Sequence, residues 1–475
     1  MRAETPFSSV QVESFVSRPD RCLVVDYRDS LQESVSRQIT LNRWGSRKFA
    51  HFFHQIVKDT SVGLEGTQSG RDSKHAWIVQ ETRSLTFAVA CRVADIEFDT
   101  RKPHSRQAVF DTVATKDARF QVYLSVVSSE EEADPLAAAI AIVDSACDKG
   151  LKTIDQKHQQ RWQRFWDRSF VSLPDKYVEN LWYLHSYQMA SSSSGRYPVP
   201  NSNGLWFWNS DSQPWNFFYH WNIQQYTWPM QSCGHFDLFE PYARLRLDGL
   251  PHAMDDAKKV FNCRGAWYAD ISNRKGYQPV VFQDDVDKNS IPGEVEVDHG
   301  TTDNLTPGSQ TAMDLYRHYQ YTLDEEFLKE YAYPLMRECV RFYCDYLQKE
   351  DDGRYHVPKS CPYEGNGLCK DSVTDLASIR QLFPHFLETA RHFCEDEPLC
   401  QEAAEVLTNL ADYVKMDIPE GVVARGVEEA AGPILAAGTN LEEQGGPYHQ
   451  WLEDSPGKRR VVLKPFISHQ YSLRR

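Results

Sequence analysis

Residues 309–350 read SQTAMDLYRHYQYTLDEEFLKEYAYPLMRECVRFYCDYLQKE. The stretch is amphipathic with a helical period along its length. Three further segments share the pattern: YVENLWYLHSYQMASSS (177–193), FDLFEPYARLRLDGLPHAMDDAKKVF (236–261) and DLASIRQLFPHFLETARHF (375–393). Between them lie long loops rich in Gly, Pro, Asp and aromatic residues. Helices alternating with elaborate loops from Asp175 onward predict an α-solenoid closed into a toroid, with function carried on the loops. No repeat of fixed period is visible.

Upstream the period changes. Short alternating or apolar runs recur at CLVVDY (22–27), SVSRQITL (34–41), AWIVQ (76–80), LTFAVACRV (85–93) and ARFQVYLSVV (118–127), separated by Gly, Asp, Ser and Lys. That is the pattern of an antiparallel β-sandwich. EEEADPLAAAIAIVDSACDKG then switches to helical spacing. A charged aromatic segment, HQQRWQRFWDRSF (158–170), follows and reads as a helical connector packing its Trp face on a neighbour.

The chain has 475 residues, enough for two or three domains. Hydrophobic content of 41% with 25% charged residues is globular usage. A net charge of −15 argues against nucleic acid or an anionic membrane as partner, since both reward basic patches. No stretch is apolar for long enough to span a bilayer, and MRAETPFSSVQVESF lacks the apolar core of a secretory signal. The expected compartment is the cytoplasm, or the exterior if Met1 is not the natural start. Eleven cysteines without CxxC pairs are expected to be free buried thiols rather than zinc ligands or a disulfide scaffold. The sequon Asn304-Leu-Thr306 is a small pointer toward secretion.

Residues 218–230, FYHWNIQQYTWPM, follow an aromatic run, GLWFWNSDSQPWN (204–216). A core helix would be expected to avoid Asn222, Gln224 and Gln225 among its aromatics, because each buried amide needs partners. A sugar-binding cleft needs that mixture: flat rings against C–H faces, amides and His for hydroxyls. A buried aromatic layer with amides capping turns would account for it equally.

The chain has no GxxxxGK[ST], no GxGxxG after a strand, no HExxH and no GxSxG. Nucleotide, zinc-peptidase and serine-hydrolase chemistry have no support, and no cofactor or metal is expected. The acidic FQDDVDK (282–288) lacks the spacing and Gly of a calcium loop. Two carboxylate-bearing loops remain. In HVPKSCPYEGNG (356–367), Glu364 follows Tyr363 and precedes Gly, and desolvation on such a loop would make it a proton donor. In YHQWLEDSPGKRR (448–460), Asp454 could serve as the opposing base. Taken singly, each also reads as a solvated surface carboxylate.

The order of these motifs resembles glycoside hydrolase family 95, the inverting α-L-fucosidases and their α-L-galactosidase relatives. ESFVSRPDRCLVV (13–25) is similar to the family's sandwich signature, and LWYLHSYQMASSSSGRYPVPNSNGLW (181–206) to the start of its barrel. HWNIQQYTWP (220–229) falls where the family has Asn-Ile-Asn ending in Tyr-Trp-Pro. FNCRGAWYADI (261–271), LYRHYQYTLDEEFLKEYAYPLM (315–336), VPKSCPYEGNG (357–367), TDLASIRQLF (374–383), QWLED (450–454) and ISHQYSL (467–473) follow in the family's order.

The resemblance implies an N-terminal antiparallel β-sandwich (1–150, partial), a helical linker (151–174) and an (α/α)6 catalytic barrel (175–475). The last helices of that barrel are expected to be missing, and an unclosed toroid would expose apolar helix faces and dissolve poorly. It implies Glu364 as general acid and Asp454 as base, acting on a water that Asn222 helps to hold. Trp206, Trp215, Trp228 and Trp267 would line the cleft, with Gln224, Arg264 and His469 as polar contacts. The partner would be a carbohydrate, and the oligomeric state stays open.

Departures from the pattern bear on specificity. His220 stands for the first asparagine of the family's pair, Gln450 for a Glu, and LKPF (463–466) for a His-Arg-His run. A non-catalytic glycan-binding relative is the alternative they favour. A disaccharide phosphorylase would need a phosphate site in place of the base, against which Asp454 argues.

Overall fold

The computed structural model describes residues 2–5, 8–43, 48–50, 57–59, 66–82, 85–193, 195, 199, 218–272, 304–362, 368–413, 415–419 and 458–462. Among these the chain forms two compact units, one running to Phe170 and the other from Val171.

The first unit is built on a seven-stranded antiparallel sheet. Its spatial order is Arg2–Thr5, Ser8–Ser17, Cys22–Asp29, Arg119–Ser128, Thr86–Ala94, His75–Glu81 and Gly66–Arg71. Successive side chains on a strand face opposite ways, and the burial follows that period of two. On the strand Arg119–Ser128, Phe120 and Val122 join one apolar cluster with Ala76, Ile78, Cys91 and Val93, completed by Leu41, Ala108 and Phe110. Leu41, Ala108 and Phe110 belong to a second, three-stranded sheet, Phe98–His104, Gln107–Thr112 and Gln38–Asn42, which closes the sandwich. Tyr123 and Val127 of the same strand face the other way and pack with Ala139, Val143, Ala146 and Ile154 of the helix Pro135–Arg168.

All five apolar runs singled out in the sequence lie on or overlap strands, although SVSRQITL supplies only Gln38–Asn42. The strand Gly66–Arg71 escaped that reading because its inward residues are polar. Thr67 and Ser69 are buried and donate to Gln80 Oε1 at 2.6 Å and to the His104 carbonyl at 2.8 Å. Hydrogen-bonded hydroxyls stand there where an apolar side chain would have given the signal.

The two helical segments expected before residue 170 are two helices that meet at a kink within Pro135–Arg168. Asp134 caps the first by accepting from the Ala137 N–H. Gly150, with φ 74° and ψ 155°, forms the kink, where no side-chain-bearing residue would sit without strain.

The second unit is helical. It comprises Lys176–Ser192, His220–Ser232, Glu240–Asp248, Leu250–Phe261, Thr306–Thr322, Tyr333–Tyr346, Val373–Phe393 and Glu397–Thr408. The periodic stretch 309–350 is not one rod. It turns at Leu323, whose left-handed φ of 56° ends the helix Thr306–Thr322, and Asp324 starts the next turn by capping the Phe327 N–H. The stretch 236–261 likewise divides at Gly249, with Pro241 and Pro251 each near the start of a new helix. One apolar core joins the helices from His220 onward through Tyr242, Trp267, Tyr268, Phe342, Tyr343, Phe383 and Phe386. Each such ring contributes about 1.5–3 kcal/mol by leaving water. The architecture is therefore an N-terminal antiparallel sheet region followed by a helical domain of the (α/α)6 class. On the helix Lys176–Ser192, Tyr177, Val178, Leu181, Leu184 and Tyr187 are exposed.

All eleven cysteines are free thiols, seven of them buried and only Cys394 exposed. The sequon asparagine is not a surface acceptor: Asn304 is buried, and both ends of its amide are engaged within the fold. Among the described residues no helix is long and apolar enough to cross a membrane, and no group of His, Cys, Asp and Glu could hold a metal ion.

Candidate active site

The segment FYHWNIQQYTWPM folds as a two-residue strand, Phe218–Tyr219, that runs straight into the helix His220–Ser232. The strand pairs with Ile271–Ser272, so the start of the helix is pinned to the YADIS segment. His220, Ile223, Gln224, Thr227, Met230 and Gln231 form its buried face, while Asn222 and Gln225 are exposed. The expectation that a core helix would avoid glutamine here does not hold. The reason is a buried carboxylate opposite: Gln224 Nε2 donates to Asp314 Oδ2 at 2.7 Å, and Trp228 Nε1 donates to Asp314 Oδ1 at 2.7 Å. Tyr242 Oη donates to the same carboxylate at 3.2 Å. Burial nevertheless pushes the Asp314 carboxyl above its ordinary range, against the opposing pull of Arg317 and the three donors.

His220 takes part in a separate polar chain. Its Nδ1 lies 2.7 Å from Asp270 Oδ1, and Asn304 Nδ2 donates to the same carboxylate at 3.0 Å. Asn304 Oδ1 accepts from the backbone N–H of Thr306 at 3.0 Å and from its hydroxyl at 2.9 Å. Trp267 is 1% exposed and donates its indole N–H to the Asn304 carbonyl at 2.9 Å, so its ring belongs to the core. Arg264 is held elsewhere: Nε lies 3.0 Å from both oxygens of Asp345, and Nη2 reaches Glu402 at 3.0 Å.

The structure thus gathers Gln224 and Trp228 on Asp314, and links His220 to Trp267 through Asp270 and Asn304. Asn222 shares the helix of His220 on its exposed face, and Arg264 lies in neither network. Trp206, Trp215, Glu364, Asp454 and His469 fall outside the described residues, as do FQDDVDK, Gln450 and LKPF.

The residues on either side of 363–367 are described. Ser360 and Cys369 exchange both backbone hydrogen bonds, at 2.9 and 2.8 Å. Below the bridge Val357 N–H donates to Asp371 Oδ1 at 2.8 Å, and His356 Nδ1 lies 2.6 Å from Asp371 Oδ2. Burial alone would lower the His356 pKa, but Asp371, Asp352 and Glu350 around it raise it. Ser360 and Ser372 both donate hydroxyls to Oδ2 of Asp375, which is fully buried. Burial raises the Asp375 pKa to about 6, with the two hydroxyls opposing.

Asp270, Asp314 and Asp375 were not among the residues picked from sequence, and Asn304 was picked only as a sequon. For Asp375 a signal existed: Ser372-x-x-Asp375 before an apolar run is a helix-start signature, and Ser372 does cap the Asp375 N–H. Asp270 and Asp314 carried none, because their partners lie 50 and 86–90 residues away in the chain.

Comparison with known proteins agrees with this architecture. Residues 146–418, more than half of the chain, match the model of the glycosyl hydrolase family 95 catalytic domain. Alpha-L-fucosidase 2 of Arabidopsis thaliana is 30% identical over 236 residues, covering 46% of this chain and 25% of that protein. Nigerose phosphorylase of Lachnoclostridium phytofermentans is 24% identical over 304 residues, covering 59% and 36%. The chain thus spans about a quarter to a third of the length of these two relatives. Among solved structures, the one named "Putative kojibiose phosphorylase from human microbiome" superposes with a TM-score of 0.60 at 11% identity, over 86% of this chain and 54% of that one, a likeness of fold alone. The chain, whose helical unit holds the buried Asp314 and Asp270 networks, belongs to glycosyl hydrolase family 95.

Proposed function

We propose that the protein is an inverting glycoside hydrolase that removes a terminal neutral or deoxy sugar, α-L-fucose or α-L-galactose in type, from a glycan. The observation that carries this reading is the match of residues 146–418 to a glycosidase catalytic domain. Glu364 acts as general acid toward the glycosidic oxygen, and Asp454 as base toward the attacking water. Inversion requires those carboxyls about 6.5–9.5 Å apart, so that the water fits on the far face of the sugar. Asn222, on the exposed face of its helix, offers both a donor and an acceptor to hold that water in line.

The similarity to a nigerose phosphorylase favours a second reading, cleavage of an α-linked glucose disaccharide. One experiment separates them. The protein is incubated with p-nitrophenyl α-L-fucoside, p-nitrophenyl α-L-galactoside and nigerose, each with and without phosphate, and the first-formed anomer is read by NMR. Phosphate-independent release of the inverted sugar from an L-glycoside supports the proposal. Phosphate-dependent cleavage of nigerose replaces it with the second reading. Glycan binding without turnover of any substrate leaves a binding protein.

A further inference from the structure

The start of the helix His220–Ser232 is tied twice to one residue. The backbone N–H of His220 donates to the Asp270 carbonyl at 2.7 Å, and the ring Nδ1 lies 2.7 Å from Asp270 Oδ1. His220, Asp270, Asn304 and Thr306 are all buried, at 6%, 7%, 5% and 1% exposure. The direction of each bond in this chain is forced. The Thr306 backbone N–H can only donate, so the atom of Asn304 that it meets is the amide oxygen. The Asn304 nitrogen therefore points at Asp270 and donates to both carboxylate oxygens, at 3.0 and 3.3 Å. Nδ1 of His220 lies 2.7 Å from that carboxylate, which only accepts, so a proton shared between the two belongs to the ring nitrogen. In the neutral ring the other nitrogen, Nε2, is then a bare acceptor. It makes no hydrogen bond among the described residues, and the side chain keeps 8% of its surface exposed.

We propose that Asp270, oriented by Asn304, is a positioning residue that locks His220 in the Nδ1-protonated tautomer, so that Nε2 accepts a hydrogen bond from an O–H in the glycosidase site. This rests on the function proposed above. An asparagine at position 220 would present both a donor and an acceptor. A ring backed by a carboxylate presents an acceptor alone, which is selective for a hydroxyl or a water aimed hydrogen-first.

The ¹⁵N NMR spectrum of the histidine rings in the full chain reads the tautomer directly. Turnover of the cleaved substrate reads its use. In the wild type Nδ1 of His220 carries the proton and Nε2 is bare, and D270A loses that preference. Expected losses in kcat/KM are at least about tenfold for H220A and for D270A. The double variant loses no more than the worse of the two, since both act through one nitrogen. H220N, which supplies an amide acceptor, recovers activity relative to H220A. A loss confined to kcat assigns the partner as the attacking water, and one confined to KM as a sugar hydroxyl. A wild-type ring protonated at Nε2, or an H220A variant with unchanged kcat/KM, overturns the proposal. If the wild type hydrolyses nothing, the functional reading fails by itself. The dyad is then judged by the ring spectrum and by titration with L-fucose, and absent binding, or affinity equal in wild type and H220A, overturns it.

Discussion

The indole N–H of Trp228 donates to Oδ1 of Asp314 at 2.7 Å, joining the helix His220–Ser232 to the helix Thr306–Thr322. Trp228, proposed from the sequence as a cleft residue, is thus a strut between two helices of the core. Asp314 is fully buried, and Gln224 occupies its other oxygen.

This relationship predicts a graded loss of stability. W228F removes one donor and keeps a ring, and should cost about 1–2 kcal/mol. D314A strands the amide of Gln224, the indole of Trp228 and the hydroxyl of Tyr242, and should cost about 3–5 kcal/mol. Urea unfolding measures both. Equal losses, or none for W228F, would remove the strut.

Gly265, in the FNCRGAW segment, has φ 76°, and a Cβ there would sit on the Glu338 carbonyl and the Phe342 N–H. Both contacts are backbone and cannot move aside. G265A should destabilise the protein by about 2–4 kcal/mol, combining the left-handed strain with the overlap. A melting temperature within a degree of wild type would refute the close approach.

Asp375 gives a dependence on pH. Its pKa is about 6 in the fold against an ordinary 3.8, so the folded state holds a proton that the unfolded chain releases. The stability it contributes is full below about pH 4 and is lost as pH rises through about 6, by up to about 3 kcal/mol. D375N keeps a neutral group throughout. Its stability relative to wild type should therefore improve between pH 4 and pH 7, and a difference that stays flat with pH would contradict the buried proton.

Arg264 is bound to Asp345 and Glu402, but its side chain is 56% exposed, so solvent screens the pairs. R264A should cost no more than about 1 kcal/mol. With its fork already occupied, KM for a cleaved glycoside should not change. A rise in KM with stability intact would restore Arg264 as a contact to sugar.

The proposed acid and base are tested by E364Q and D454N. Each should lower kcat by about 10²–10⁴ without lowering the melting temperature. Retention of full turnover by either variant would remove that residue from the chemistry.

Helices were legible in long segments with one apolar face, as in 375–393, because apolar spacing follows directly from which side chains must leave water. Glu397–Thr408 and His220–Ser232 also bury a face in the core and were not singled out as helices. Long apolar strands such as 85–93 were legible; Gly66–Arg71, whose inward Thr67 and Ser69 are hydroxyls, was not, and neither was the short Gln107–Thr112 despite its buried Ala108 and Phe110. Breaks within long periodic stretches were harder to see. Leu323 adopts a left-handed conformation that its residue type disfavours, and only the packing on either side enforces it.

For the site, the sequence by itself determined the order of motifs and the chemistry each residue type offers: carboxyls at 364 and 454, amides at 222 and 224, a histidine at 220. Pairing was a matter for the tertiary structure. Asp314 meets Gln224 and Trp228 across 86–90 residues, and Asp270 meets His220 across 50, because separate helices and a two-stranded ladder bring them within 2.7 Å. A buried amide or imidazole is stable only with such a partner, and which carboxylate supplies it depends on the packing of elements far apart in the chain.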